Sequence, residues 1–525
     1  MSRNQVTWNI SSTQYKLMAV FTAYFTSFFI LNSLNTALPK IAAELNGMSL
    51  YSTAVAIPAL ASAFVTLVFG KLSDMYGRRV ILMAAVGFIL LGAILSAVSQ
   101  TFIFLIAALS FLSTGQGVIQ PLCFSVLGDM YEPAERSRWA GLLNIASAAT
   151  AFVVPTLSGW FVDTLSWRYI FWLDIPFAIL TGIVVMIGLP GSTRREKHNI
   201  DFRGSVFLAL ASSTMILGFS WGGTTYPWNS VQIIGLLGVS IITWILFLRA
   251  EANALEPILD MQVLTNRTFI IASAAAFLSI FGFTAITVYF PLFVQGVQGV
   301  SATMSGKIIT PFSIFTALMG IPAGLLIAKT KRYKWMYVSG YAILAVVMFG
   351  MLALKSETPV GWGFLITAMT GFGLGTIPTI NALVVQYAVP RRLLGVATGA
   401  LYFFVMMGRS VAPAILGSVM NSIYAKTLST SLPGSLQQVV GGEILASLGN
   451  PRILLSPSAM ADLQNQFGIA GGQAPLLFKQ TVTAIRSSLE SALLTIFLVG
   501  AVMMLASFLL ILTIPEIPFD NDSHE

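Results

Sequence analysis

The chain has 525 residues, of which 56% are hydrophobic and only 9% are charged. Soluble domains carry about 25% charged residues, so this composition excludes a string of water-soluble domains and indicates a polytopic membrane protein. The single cysteine, Cys123, excludes internal disulfides and multi-cysteine metal sites, and the two histidines lie far apart in sequence. We therefore expect neither a metal nor a cofactor.

The predicted elements are transmembrane helices, each of which needs about 20 mostly apolar residues to cross the hydrocarbon. In chain order the sequence predicts fourteen, over residues 16–38, 51–70, 80–99, 102–124, 139–162, 168–189, 204–222, 231–249, 268–293, 304–328, 334–353, 361–386, 394–420 and 488–514. Polar stretches after the sixth and eighth helices divide the chain into three units. We expect an N-terminal six-helix bundle (1–190), a linker with two inserted helices (191–267), and a C-terminal six-helix bundle (268–525) with a long external loop (421–487).

Lysine and arginine residues indicate how these helices are oriented. With a cytoplasmic N-terminus, the inside segments carry nineteen of them, whereas the short outside loops carry only Lys40, Arg168 and Lys355. Loops rich in lysine and arginine stay in the cytoplasm. We therefore expect both termini to be cytoplasmic. The net charge of +8 then indicates contact with lipid headgroups and not with nucleic acid.

The turn between the second and third predicted helices has a distinctive sequence, Gly70-Lys71-Leu72-Ser73-Asp74-Met75-Tyr76-Gly77-Arg78-Arg79. Gly77 permits a tight reversal, and the two arginines would hold the turn at the inner surface. Asp74 is left to interact with a helix N-terminus or a basic partner. Taken alone, the segment could also be an ordinary basic cytoplasmic loop.

This turn resembles the signature loop after helix 2 of the major facilitator superfamily. The chain as a whole, over residues 15–515, resembles the fourteen-helix drug:proton antiporter branch of that superfamily, the QacA/EmrB type. Further matches are spread along the sequence: Asn35 to Pro39, Gln116 with Gly117, Asp129, Arg136, Gly141, Trp167 to Phe171, Tyr289 to Leu292, Gly371, Gly373, Gly375, Pro378, Gln386, Gly395 and Gly399.

The resemblance implies an all-α membrane protein of the major facilitator fold, with two six-helix bundles related by a pseudo-two-fold axis and two extra helices between them. The substrate cavity would lie between the bundles near the midplane, and rocking of the bundles would alternate its access. A cytoplasmic latch that favours the outward-open state would include Asp74 paired with Arg136. The residues expected in this latch are Gly70, Asp74, Gly77, Arg78, Arg79, Asp129 and Arg136.

Three features of the family are missing from this sequence. An aspartate usually found in helix 1 is replaced by Ile30, and an arginine usually found in helix 4 is replaced by Ser113. The helix-5 antiporter motif keeps Pro155 and Gly159 but has lost two other glycines. Proton coupling needs a group that changes protonation during the cycle. The N-terminal half therefore lacks the acid and the partner that usually serve this purpose.

Few charged residues lie within the predicted spans. Arg409 is near mid-span, where it cannot easily reach the interface, so we expect it to face water or an anion. Lys307 lies near the outer end and is the only spanning basic group able to titrate, although snorkelling is its simpler explanation. Asp174 lies about six residues from the outer end of helix 6, where an anchoring role is the more probable interpretation.

We expect the substrate cavity to be lined by polar and aromatic side chains from several helices. The candidates are Asn32, Asn35, Ser113, Gln116, Gln120, Asn144, Lys307, Asn381, Tyr402 and Arg409. Hydrogen bonding between helices of one bundle is an equally good explanation for the amide residues.

These observations favour a secondary active exporter of lipophilic or amphipathic small molecules, of the multidrug type and linked to protons. Because no carboxylate is expected in the cavity, neutral or anionic amphiphiles fit the two cations better than cationic drugs do. The alternatives are an uncoupled facilitator or a lipid or anionic-metabolite translocase of the same fold, and a receptor or scaffold that transports nothing. No enzyme motif is present. We expect a monomer in the cell membrane.

Overall fold

The computed structural model describes residues 12–45, 50–131, 133–190, 202–223, 226–254, 257–432 and 474–516, together with six positions between 448 and 467. Within these residues the regular structure is helical, apart from one isolated bridge between Gly222 and Tyr226. Fourteen helices are long and apolar enough to cross a membrane. The number predicted from hydropathy is therefore confirmed for the described part of the chain.

Six helices form the N-terminal bundle: α1 (Ser12–Glu44), α2 (Tyr51–Tyr76), α3 (Arg78–Ala97), α4 (Phe102–Met130), α5 (Pro133–Thr164) and α6 (Arg168–Gly188). A hydrophobic cluster made almost entirely from these six helices forms its core. The turn between α2 and α3 is a single residue, Gly77, with φ of +92°. Because side chains with a Cβ rarely adopt this conformation, the tight reversal expected there requires glycine.

The inserted pair consists of α7 (Phe202–Trp221) and α8 (Val231–Asn253), and the short helix Met261–Leu264 leads into the second bundle. α7 packs against α8 and also against helices of both bundles. At the turn between α7 and α8, the indole nitrogen of Trp228 donates a hydrogen bond to the hydroxyl of Ser418 in the second bundle. The linker residues 191–201 lie outside the described residues.

The C-terminal bundle also has six helices. They are α9 (Arg267–Thr284, continued as Ala285–Tyr289, Phe290–Leu292 and Phe293–Val297), α10 (Ala302–Leu318 and Gly320–Thr330), α11 (Lys334–Gly350), α12 (Gly361–Tyr387), α13 (Leu394–Ser431) and α14 (Ala474–Leu512). The last two extend beyond their predicted ends. The loop predicted at 421–487 is therefore shorter, because residues 421–431 and 474–487 are helical. Most of the remainder lies outside the described residues.

The two bundles meet mainly through two pairs of helices, α2 with α13 and α5 with α10. A Cβ atom at Gly70 of α2 would lie 2.8 Å from the carbonyl oxygen of Gly395 in α13, so the missing side chain allows the backbones to approach. On the other pair, the Ser137 hydroxyl donates to the carbonyl of Gly324 at 2.8 Å. Both contacts lie at the end of the molecule that contains the α2–α3 turn. We call this the Gly77 end and the other the opposite end.

Candidate functional site

A cavity of about 500 Å³ lies between the two bundles. Its walls come from α1, α4 and α5 of the first bundle and from α9, α10, α12 and α13 of the second. Because α2 contacts α13 and α5 contacts α10 near the Gly77 end, the bundles are joined below the cavity at that end. Cavities between domains are common small-molecule sites, so this is the candidate substrate site.

Six of the ten predicted cavity residues line this space: Asn32, Gln120, Asn144, Asn381, Tyr402 and Arg409. Several also make hydrogen bonds inside the protein. The Asn32 amide donates to the Thr150 hydroxyl of α5, in the same bundle, at 3.3 Å, whereas the Asn144 amide donates to the Thr379 hydroxyl of the other bundle at 3.1 Å. For Asn32 the two interpretations are thus compatible, since one side chain can both line the cavity and bond to a neighbouring helix of its bundle.

Three predicted cavity residues lie elsewhere. Ser113 and Gln116 are buried in α4, where the Gln116 amide faces the carbonyl of Ser27 at 3.4 Å. Neither is among the described residues that line the cavity, so they are not cavity residues in this arrangement. Lys307 is exposed and does not line the cavity. Its long side chain can reach the interface because it is only one turn or so inside α10. The side chain of Asn35 lies outside the described part.

Arg409 is the one charged side chain among the described residues that line the cavity. It is exposed toward the cavity and has no hydrogen-bond or ion-pair partner in the described part of the chain. Tyr24 and Tyr402 lie close enough to interact with it electrostatically. Both tyrosine rings pack against Phe124, at centroid distances of 5.9 and 5.8 Å. The cavity therefore presents a guanidinium beside aromatic surface.

Sequence reasoning missed several lining residues. Tyr24 and Phe28 precede Asn32 by eight and four residues, so all three lie on one face of α1. That spacing was available in the sequence and could have identified them. Ser279 and Thr316, from the second bundle, carry no comparable signal, because isolated hydroxyl residues are common in membrane helices and usually bond to their own backbone.

The Gly77 end contains a group of charges that joins the bundles. Asp74 forms an ion pair with Arg78, and Arg78 also pairs with Asp129 at 2.8 Å. A carboxylate oxygen of Asp74 accepts a hydrogen bond from the backbone N–H of Val396 at 3.0 Å. Val396 is in the first turn of α13, whose N-cap residue provides no side-chain acceptor. Asp74 thus caps α13 from the other bundle, which satisfies a free N–H and places negative charge at a helix N-terminus.

Arg136 crosses between the bundles through a different set of partners. It is 6% exposed, and it donates to the side-chain oxygen of Gln386 in α12 at 3.0 Å and to the carbonyl of Gly128 at 2.7 Å. The predicted contact between Asp74 and Arg136 is therefore wrong in its pairing. The physical reason is that the free N–H of α13 lies beside Asp74, while Gln386 offers Arg136 a neutral acceptor.

The remaining predicted residues have smaller structural roles. Arg79 forms no ion pair with the described residues. A Cβ at Gly159 would meet nothing within 4 Å, so packing in this arrangement does not require glycine there. Pro155 lies in α5, but its side chain lies outside the described residues. Gly159 is not among the described residues that line the cavity.

Residues 20–413 match the sequence profile of the Major Facilitator Superfamily. The chain belongs to this superfamily of membrane transporters. It is 27% identical over 494 residues to the multidrug transporter protein MdtP of Bacillus subtilis, a match that covers 93% of this chain and 91% of MdtP. It is also 28% identical to multidrug resistance protein 3 of the same organism, over 79% of this chain and 81% of that one. The superfamily predicted from the signature turn is confirmed.

Solved structures agree on the fold. The human organic anion transporter MFSD10 superposes with a TM-score of 0.59 at 14% identity, covering 95% of this chain and 99% of that one. The proton:xylose symporter XylE superposes with a TM-score of 0.58 at 12% identity, covering 98% of each chain. The superfamily match and the relatives named as transporters identify the protein as a multi-pass membrane transporter of small molecules and not an enzyme, as expected from the sequence.

Proposed function

We propose that this protein exports lipophilic or amphipathic small molecules from the cell by alternating access, and that neutral and anionic amphiphiles are its preferred substrates. The observation that carries the substrate preference is Arg409, a cation without a partner among the described residues, in a cavity whose described lining contains no aspartate or glutamate. A guanidinium in a cavity between helices attracts carboxylate, sulfonate or phosphate groups strongly. The same charge disfavours a dicationic drug by like-charge repulsion.

The orientation of the molecule determines which side of the membrane the cavity faces. We infer that the Gly77 end is cytoplasmic, because the lysine- and arginine-rich segments lie there, and that both termini face the cytoplasm. The bundles are in contact at this end, through Gly70 with Gly395 and Ser137 with Gly324. The described arrangement is then outward-open, with Asp74 and Arg136 holding the cytoplasmic end closed. We place the protein in the cell membrane as a monomer.

Efflux measured in vesicles tests the substrate preference. Purified full-length protein would be reconstituted, and transport of the anionic amphiphile anilinonaphthalene sulfonate would be compared with that of a dicationic dye of similar size. We expect transport of the anion and little transport of the dication. Arg409→Gln should lose anion transport, whereas Arg409→Lys should keep part of it, because lysine retains the charge without the planar donors. Robust pumping of the dication by the native chain would refute the proposal.

An uncoupled facilitator is the second candidate, favoured by the lack of a carboxylate in the described cavity lining. The two candidates differ in their dependence on protons. Collapse of the pH gradient should abolish uphill export by a proton-linked antiporter and leave downhill exchange through a facilitator unchanged. The same vesicles therefore distinguish them, and vesicles that move no solute would favour the receptor or scaffold instead.

A further inference from the structure

A carboxyl group without partners among the described residues lies inside the N-terminal bundle. Asp174 of α6 is 1% exposed, and neither of its oxygens has a hydrogen-bond partner in the described part of the chain. Ile170, Phe171 and Ala178 lie one helical turn away on the same face of α6, and all three are buried. An anchoring role, which the sequence favoured, requires hydrogen-bond donors around the carboxylate. The structure provides none among the described residues.

Other groups attach α6 to the helices on either side of it. Toward the opposite end, Arg168 donates to the carbonyl of Ser99, just beyond α3, at 2.8 Å. Toward the Gly77 end, the hydroxyls of Thr26 in α1 and Thr181 in α6 are 2.8 Å apart. Asp174 lies between these two attachments. Since α6 is held without it, packing alone does not account for a carboxyl group at this position.

The charged groups around Asp174 are few. α6 packs against α1, α3 and α5. In the half of the bundle that contains Asp174, α1 carries Lys40 and Glu44, α3 carries no titratable residue, α5 carries Asp163, and α6 itself carries Arg168 and Tyr169. Glu44 accepts a hydrogen bond from the Trp167 indole at 2.9 Å, and the Arg168 guanidinium stacks over the same indole ring. The side chains of Lys40 and Asp163 lie outside the described residues.

An ionised carboxylate is very unfavourable in an apolar site inside a membrane protein unless donors or cations compensate it. We propose that Asp174 is a proton-binding site of this transporter, occupied by a proton in the described arrangement. Proton binding converts the carboxylate to the neutral acid, and release is the reverse step, with no other bond changed. The ionised form would require water or a donor, and therefore a separation of α6 from α1 or α3.

A separation of α6 from α1 would also move a wall of the cavity, because α1 contacts both. One face of α1 lines the cavity with Tyr24, Phe28 and Asn32, and another packs on α6, where the rings of Phe29 and Phe177 are 4.6 Å apart. Protonation of Asp174 would therefore favour one position of the helix that holds the substrate. This coupling rests on the proposed transport function, but occupancy of Asp174 by a proton does not.

Two measurements on the full-length protein test the proposal separately. Infrared difference spectra across a pH titration detect the carbonyl stretch of a protonated carboxylic acid in purified protein. Proton movement driven by anilinonaphthalene sulfonate is followed in vesicles with an entrapped pH-sensitive dye. Asp174→Asn removes the titratable group at nearly constant size. Asp260→Asn is the matched control, because Asp260 caps a short helix outside the spans through a bond that asparagine can also accept.

We expect the native protein and Asp260→Asn to show a protonated-acid band that Asp174→Asn lacks. Proton movement coupled to the dye should be lost in Asp174→Asn and restored in Asp174→Glu, while downhill exchange of the dye remains. An unchanged spectrum in Asp174→Asn, or unchanged proton movement per dye molecule, would overturn the proposal. If no variant moves the dye, the transport function fails, and the infrared band still decides whether Asp174 holds a proton.

Discussion

Replacing Asp74 by asparagine tests whether the charge at the Gly77 end holds the bundles together. Asp74 accepts a hydrogen bond from the Val396 N–H and pairs with Arg78. Asparagine has nearly the same size and can still accept from that N–H, but it carries no charge. Arg78 keeps its second partner, Asp129. The substitution therefore removes the charge without leaving a buried cation unpaired.

The expected effect follows from the burial of the carboxylate. A negative charge at a helix N-terminus is worth up to about 2 kcal/mol in a partly buried site, and the Asp74 side chain is only 12% exposed. A charge-assisted hydrogen bond is about twice as strong as a neutral one, which adds roughly 1 kcal/mol. We expect the closed arrangement to lose about 2 to 3 kcal/mol, which is a change of about thirtyfold or more in the equilibrium between closed and open cytoplasmic ends.

Cysteine labelling measures this change. Ala151 lines the cavity, so Ala151→Cys provides a reporter, and the native Cys123 is buried and adds little background. In inside-out vesicles, a membrane-impermeant maleimide should label the reporter about thirtyfold faster when Asp74→Asn is present, because the open minor state becomes more populated. Transport per molecule should fall while expression stays the same. Equal labelling rates and equal transport would refute the latch and the orientation on which it depends.

The other predictions concern neighbouring contacts. A Cβ at Gly395 would overlap the carboxylate of Asp74, so Gly395→Ala should raise the labelling rate of the reporter as Asp74→Asn does, and the double variant should raise it little further. Gly350→Ala is the control, because a Cβ there meets nothing within 4 Å. Additive effects of the two substitutions on the labelling rate would contradict a shared cause. Gln120 lines the cavity and Gln116 faces the Ser27 carbonyl, so Gln120→Leu should change the KM for the anionic dye. Gln116→Leu should lower thermal stability by only about 0.6 kcal/mol and leave KM unchanged; the reverse pattern would disprove the assignment.

Hydropathy predicted the spans well because the bilayer imposes a single strong condition, an apolar length, on every one of them. The end of α13 was not predictable in this way, since residues 421–431 are polar helix. Their hydropathy resembles that of a loop, and only the pattern of hydrogen bonds distinguishes the two.

The candidate site was predictable from the sequence where a side chain can be accommodated in few environments within a membrane. A mid-span arginine must face water or an anion, and Arg409 does line the cavity. The amides of α4 had two alternatives, and the sequence could not separate Gln120 in the cavity from Gln116 in the bundle, because residues four apart lie on one face of α4 and only the depth of the cavity along the helix distinguishes them. The partner of Asp74 was also beyond the sequence, since a backbone N–H of α13 has no signature of its own.

The interface at the Gly77 end is strong enough to define one arrangement and weak enough to break in each cycle. It combines backbone approach at glycines with four polar crossings between described residues, Asp74 to Val396, Arg136 to Gln386, Gln386 to Phe124, and Ser137 to Gly324. Each such hydrogen bond contributes about 0.5 to 3 kcal/mol, depending on whether a charge is involved. Moving a two-state equilibrium from one extreme to the other takes about 5.5 kcal/mol of differential binding. A few crossings of this size therefore match what substrate and proton binding can supply, whereas an interface of interlocked large side chains would hold the transporter in one state.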